Sequence, residues 1–103
     1  MKVIKYLCEK ILEEIRDADE YIRHAMKYKE EYPEMSRVLA NLSSQELEHS
    51  QMLHTEAATM IKRYRDEHGE PPQAMMAVYD YLHDREIENY NKVKSMQDRY
   101  RQS

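Results

Sequence analysis

The chain has 103 residues, a net charge of −4, 41% apolar and 35% charged residues. That length fits one small domain with one core. The acidic balance argues against nucleic acid as a partner, and no apolar run approaches the roughly 20 residues of a membrane span.

With one Gly, no Trp and no Phe, the composition favours helix over strand. The opening MKVIKYLCEK is interrupted by Lys5 and Glu9, unlike a secretion signal. Cys8 is the lone cysteine, which excludes an intrachain disulfide and fits a reducing, cytoplasmic location.

The first predicted helix covers about residues 3–31. Tyr32-Pro33 ends it, because proline restricts the residue before it and suits a first helical turn. Its alternating steps of three and four give a stripe of Ile4, Leu7, Ile11, Glu14, Ala18, Tyr21, Ala25, Tyr28 and Tyr32. The second helix covers about 34–67 and stops at His68-Gly69-Glu70-Pro71-Pro72. Its stripe is Met35, Leu39, Leu42, Glu46, His49, Leu53, Ala57, Met60 and Tyr64. The third, about 72–100, gives Met75, Tyr79, Leu82, Glu86, Asn89, Val93, Met96 and Tyr100.

The fold expected is all-α: a single domain of three long helices, antiparallel because both connections are short. Three such rods form a thin bundle with much apolar stripe for its mass. A homodimer or higher homo-oligomer is therefore expected, completing a four-helix-type bundle.

Each stripe has a polar break near its middle: Glu14, then Glu46-x-x-His49, then Glu86-x-x-Asn89. An ionised carboxylate on a buried stripe costs several kcal/mol when unpaired. No Lys or Arg lies on these stripes. A divalent ion would remove both the burial cost and the mutual repulsion. Carboxylate plus imidazole suits iron, manganese or zinc better than calcium. Glu and His three apart stand about 60° apart around a helix, so both reach one ion. Glu14 lies 19 residues before Pro33, and Glu46 and His49 lie 13 and 16 after it. That leaves a level mismatch of several ångströms.

Glu86 lies nearer the level of His54 and Glu56 than of Glu46. It is expected either as an auxiliary ligand from another chain or as a partner of His54. Glu56, one heptad after His49, is a candidate outer partner of the imidazole. His24, His68 and His83 are read as solvated, and Cys8 as a small buried residue.

The stretch PEMSRVLANLSSQELEHSQM (33–52) resembles the second helix of the encapsulated ferritins, within the ferritin-like superfamily. That helix also opens with Pro-Glu and reaches a Glu-x-Glu-His. LEEIRDADEY (12–21) resembles the family's first helix, in which a ligand Glu precedes a Tyr by seven. The resemblance covers about residues 10–60. It implies Glu14, Glu46 and His49 as iron ligands, Tyr21 beside the site, and Glu13 as an acidic neighbour on the approach path. It also implies a di-iron centre shared between two chains and a ferroxidase activity. The third helix is longer than the family's tail region. The ending DRYRQS carries no targeting extension, which weighs against an encapsulin shell. Two other readings stay open: a metal-binding protein without turnover, and a metal-free helical interaction module whose polar layer fixes register.

Overall fold

The computed structural model describes residues 2–103. Three helices account for nearly all of them: α1 (Lys2–Lys27), α2 (Pro33–His68) and α3 (Gln73–Gln102). The molecule measures 55 × 20 × 17 Å. Its length is that of α2, since 36 residues at 1.5 Å each span about 54 Å. Among the described residues no helix is long and apolar enough to cross a membrane.

Each boundary has a local cause. Tyr32, held extended before Pro33 at φ −132° and ψ 69°, cannot continue a helix. The chain leaves helical geometry earlier than expected, and residues 28–31 form turns. Pro33 occupies the first turn of α2, where its missing N–H costs nothing. Gly69 ends α2 at φ +79°, a left-handed conformation that glycine adopts without strain, and its N–H bonds the Arg65 carbonyl. Pro72 then caps α3, its carbonyl accepting from the N–H groups of Met75 and Met76.

The helices run up, down and up. Ile4 and Cys8 at the start of α1 share a cluster with Ile61 late in α2 and with Tyr79 and Leu82 early in α3. A larger cluster joins Ile11, Ile15, Ala18 and Ile22 to Leu47, Val93 and Met96. α3 rests mainly on α1 and touches α2 little.

The buried stripes of α1 and α2 depart from the sequence reading. On α1 the buried residues are Ile4, Leu7, Cys8, Ile11, Ile15, Ala18, Ile22 and Ala25, so the expected Ile4, Leu7, Ile11, Ala18 and Ala25 are inside. Ile15 and Ile22 take the places expected for Glu14 and Tyr21. On α2 the seam is Ser36, Ala40, Ser43, Leu47, Ser50, His54, Ala57 and Ile61, with Ala40 and His54 partly buried. Every member except Ala57 is shifted by one residue from the expected Leu/Met register. The cause is chemical. Ser36 Oγ donates to the Ala25 carbonyl at 2.6 Å, and Ser43 Oγ donates to the Ala18 carbonyl at 2.7 Å. Small side chains let the two backbones approach, and their hydroxyls bond across the gap.

Both hydroxyls also reach α3. With its own proton committed to Ala25, Ser36 Oγ accepts from Tyr100 Oη at 2.8 Å. Likewise Ser43 Oγ accepts from Gln97 Nε2 at 2.9 Å. Two relays seven residues apart thus tie all three helices. The expected α3 stripe agrees with the observed burial of Val93 and Met96, with Gln97 buried alongside.

Cys8 is buried and free. Burial pushes its thiol up to about 11, and the carboxylates of Glu86 and Glu9 add to the effect.

Replacing Ser43 by Ala should cost about 1–3 kcal/mol, because the buried Gln97 amide loses its acceptor; urea denaturation monitored by circular dichroism measures this. Cys8 should resist iodoacetamide at about pH 8 in the native protein and react on unfolding, since the thiolate is the nucleophile. Its contribution has the sign of a raised acid: present below the ordinary thiol range and lost as pH rises toward 11.

Candidate metal centre

Glu14 on α1 and Glu46-x-x-His49 on α2 converge. His49 Nδ1 lies 3.9 Å from Glu14 Oε2 and 3.9 Å from Glu46 Oε1. One donor atom from each residue falls within 4.8 Å of the other two. The level mismatch expected from the sequence disappears because residues 28–31 leave the helix. Glu14 stands 13 residues before Lys27, where α1 ends, and Glu46 stands 13 after Pro33, where α2 begins.

The shifted seam places this cluster beside the core rather than in it. Glu14 is 23% exposed, Glu46 19% and His49 54%. Water reaches all three in the single chain, so the burial cost argued from the sequence is reduced there. Among the described residues neither carboxylate pairs with Lys or Arg; their ion pairs are with His49 alone.

Angular position fixes the side of the bundle they face. At 100° per residue, Glu14 and Tyr21 flank one edge of α1's buried run, and Leu12, Arg16 and Asp19 flank the other. The second edge lines a groove against Arg85, Asn89 and Lys92 of α3. On α2, Ser44, Glu48 and Gln51 face α3, whereas Leu39, Leu42, Glu46 and Leu53 lie on the opposite edge. The cluster therefore occupies the face of the α1–α2 hairpin turned away from α3.

Tyr21 is partly buried on that face, seven residues after Glu14. Glu56 is exposed, two turns beyond His49, and takes part in no ion pair among the described residues; it is not placed as an outer partner of that imidazole. Glu13, expected on an approach path, instead lines the α1–α3 groove and pairs with Lys10 at 3.5 Å. His24 and His68 are exposed, as expected, and His24 Nδ1 contacts the Glu20 carbonyl at 2.8 Å.

Glu86 does not join this cluster within one chain. It meets His54 of α2, with Oε1 2.9 Å from His54 Nδ1, one of the two placements expected for it. Its Oε2 lies 3.8 Å from His83 Nδ1 on its own helix. Burial raises the Glu86 carboxyl above its ordinary range, partly offset by the two histidines. His83 corrects the sequence reading: it is half-buried rather than solvated, stacked between the His54 and Tyr79 rings. It was missed because it falls off the three-four stripe. A signal was present: His83-x-x-Glu86 reverses Glu46-x-x-His49.

Chemically, the first cluster offers two carboxylates and one imidazole, a donor set suited to iron, manganese or zinc. Comparison with protein-family models, with curated proteins and with solved structures finds no match to this chain.

Proposed function

We propose that the protein is a ferritin-like di-iron protein that oxidises Fe(II), with its centre completed between two copies of the chain. The observation that carries this reading is the convergence of Glu14, Glu46 and His49 within 4.8 Å. Three donors are half of a carboxylate-bridged two-metal set. Two copies would supply four carboxylates and two imidazoles, the complement of ferritin-like bundles. The resemblance over residues 10–60 points the same way, and the face carrying the donors is left uncovered by α3.

Covering that face with a second copy would exclude water from Glu14 and Glu46. Four carboxylates would then repel one another without counter-charge. Metal binding and pairing of chains are therefore linked: each lowers the cost of the other. In this arrangement Glu46 would be the shared or chelating carboxylate, Glu14 and His49 would be the remaining ligands, and Tyr21 would stand beside them. Iron held by these side chains would supply the redox chemistry, Fe(II) being the electron donor and dioxygen or peroxide the acceptor. The side chains hold the ions, set their separation and balance their charge. Storage would require a cage or host shell, because one thin bundle cannot enclose mineral.

A second reading, metal held without turnover, is favoured by the number of donors. One chain's two carboxylates and one imidazole already suffice for a single zinc or manganese ion with water completing the shell.

Wild-type protein should accelerate Fe(II) oxidation, and Glu46→Ala should return the rate to the protein-free background. Equal rates for the two overturn the ferroxidase reading. Native mass spectrometry should give monomer after metal removal and dimer or larger with iron, manganese or zinc. Under the second reading the metal raises stability by about 2.7 kcal/mol at 100-fold excess over Kd, without oxidation. If chelation changes neither melting nor oligomer size, both readings fail.

A further inference from the structure

We infer that His54, His83 and Glu86 form a second, intrachain divalent-metal site of zinc type, which clamps α3 to α2. One donor atom from each lies within 4.8 Å of the other two. The set is two imidazoles and one carboxylate, which suits zinc with a fourth position left for water.

Geometry separates this site from the first. His54 follows His49 by five residues on α2, a rotation of about 140° and a rise of about 7.5 Å. It points to the α3 side of the bundle, whereas His49 stands on the uncovered side. The inference therefore stands whether or not the first cluster binds metal.

The strongest local observation is His83 Nδ1. It is closed off from solvent and has no hydrogen-bond partner. The helix register explains this. Gln97, two heptads further along α3, is satisfied by Ser43 of α2. In an antiparallel pair the position equivalent to Ser43, opposite His83, is Ala57. The serine relay has lapsed there, and an alanine stands where a hydroxyl would have met the imidazole. The structure offers instead a carboxylate, Glu86, that splits its oxygens between two histidines. An ion among the three would give His83 Nδ1 its missing partner and neutralise a carboxylate only 12% exposed.

Small side-chain rotations suffice to close the site. Donors around a tetrahedral zinc with bonds of about 2.0–2.1 Å stand about 3.3 Å apart. Here Glu86 Oε1 lies 2.9 Å from His54 and Oε2 3.8 Å from His83, and one donor atom from each residue lies within 4.8 Å of the other two. A cavity of about 240 Å³, bordered by Ser50, Gln51, Tyr90 and Asn91, adjoins the three side chains. It leaves room for a coordinated water. Tyr79 backs the His83 ring, with centroids 5.6 Å apart, and limits its tilt. The clamp would join two helices that otherwise touch little, beyond the Ser36–Tyr100 and Ser43–Gln97 bonds.

The test uses Zn²⁺ and Co²⁺ on the full chain carrying Glu46→Ala and His49→Ala, which removes the first cluster. About one ion per chain should still bind, with the intense visible absorption of tetrahedral cobalt. Adding His83→Gln should abolish that spectrum and lower zinc affinity at least 100-fold, while far-ultraviolet circular dichroism reports that the helices remain. Zinc-soaked wild-type crystals supply a measurement independent of variant folding: an anomalous peak among His54, His83 and Glu86 is expected. No peak there, or unchanged zinc stoichiometry and cobalt spectrum in a folded His83→Gln variant, overturns the inference.

Discussion

Two serine hydroxyls on α2 set how closely α1 approaches. Ser36 and Ser43 each donate to an α1 backbone carbonyl, and each accepts from a side chain of α3. A larger residue at either place would push the helices apart, and an apolar one would strand a polar group of α3 in the core. Because the bonds come from one register of α2, that register must face α1. The Leu/Met/Glu stripe beside it is rotated toward the margin. The location of the first donor cluster on an uncovered, partly hydrated face follows from this constraint.

The two clusters differ in the charge they present. Glu14, Glu46 and His49 bring two carboxylates to one imidazole; His54, His83 and Glu86 bring one carboxylate to two imidazoles. With neutral imidazoles the first is the harder and more anionic set, and the second is the softer. Their surroundings differ in the same direction. The first is open enough for carboxylates to stay hydrated until something covers them. In the second, Glu86 is mostly shielded and one ring nitrogen is shut away from water. One helix thus contributes donors to two clusters, one on the face that α3 leaves uncovered and one packed between α2 and α3.

Much of the fold was legible in local chemistry. Pro33 and the Gly69-Glu70-Pro71-Pro72 run mark both reversals, since one residue type lacks an N–H and the other tolerates positive φ. The grouping of Glu14 with Glu46 and His49 was legible too, from the polar breaks they make in neighbouring stripes, although their levels relative to Pro33 did not match. The register of the buried seams was not. On α1 the expected stripe and the observed one share Ile4, Leu7, Ile11, Ala18 and Ala25, so periodicity alone could not choose Ile15 and Ile22 over Glu14 and Tyr21. On α2, hydropathy favours Leu39, Leu42 and Leu53 over Ser36, Ser43 and Ser50, and the serines are inside.

The sequence by itself determined three helices, two reversals and the residue types able to bind metal, because capping, backbone restriction and ligand chemistry are properties of a few adjacent residues. Only the tertiary structure decided which side of α2 is buried and that His83 meets His54. Those depend on serine hydroxyls that bond carbonyls of α1 and side chains of α3, partners that no periodicity along a single stretch of sequence can specify.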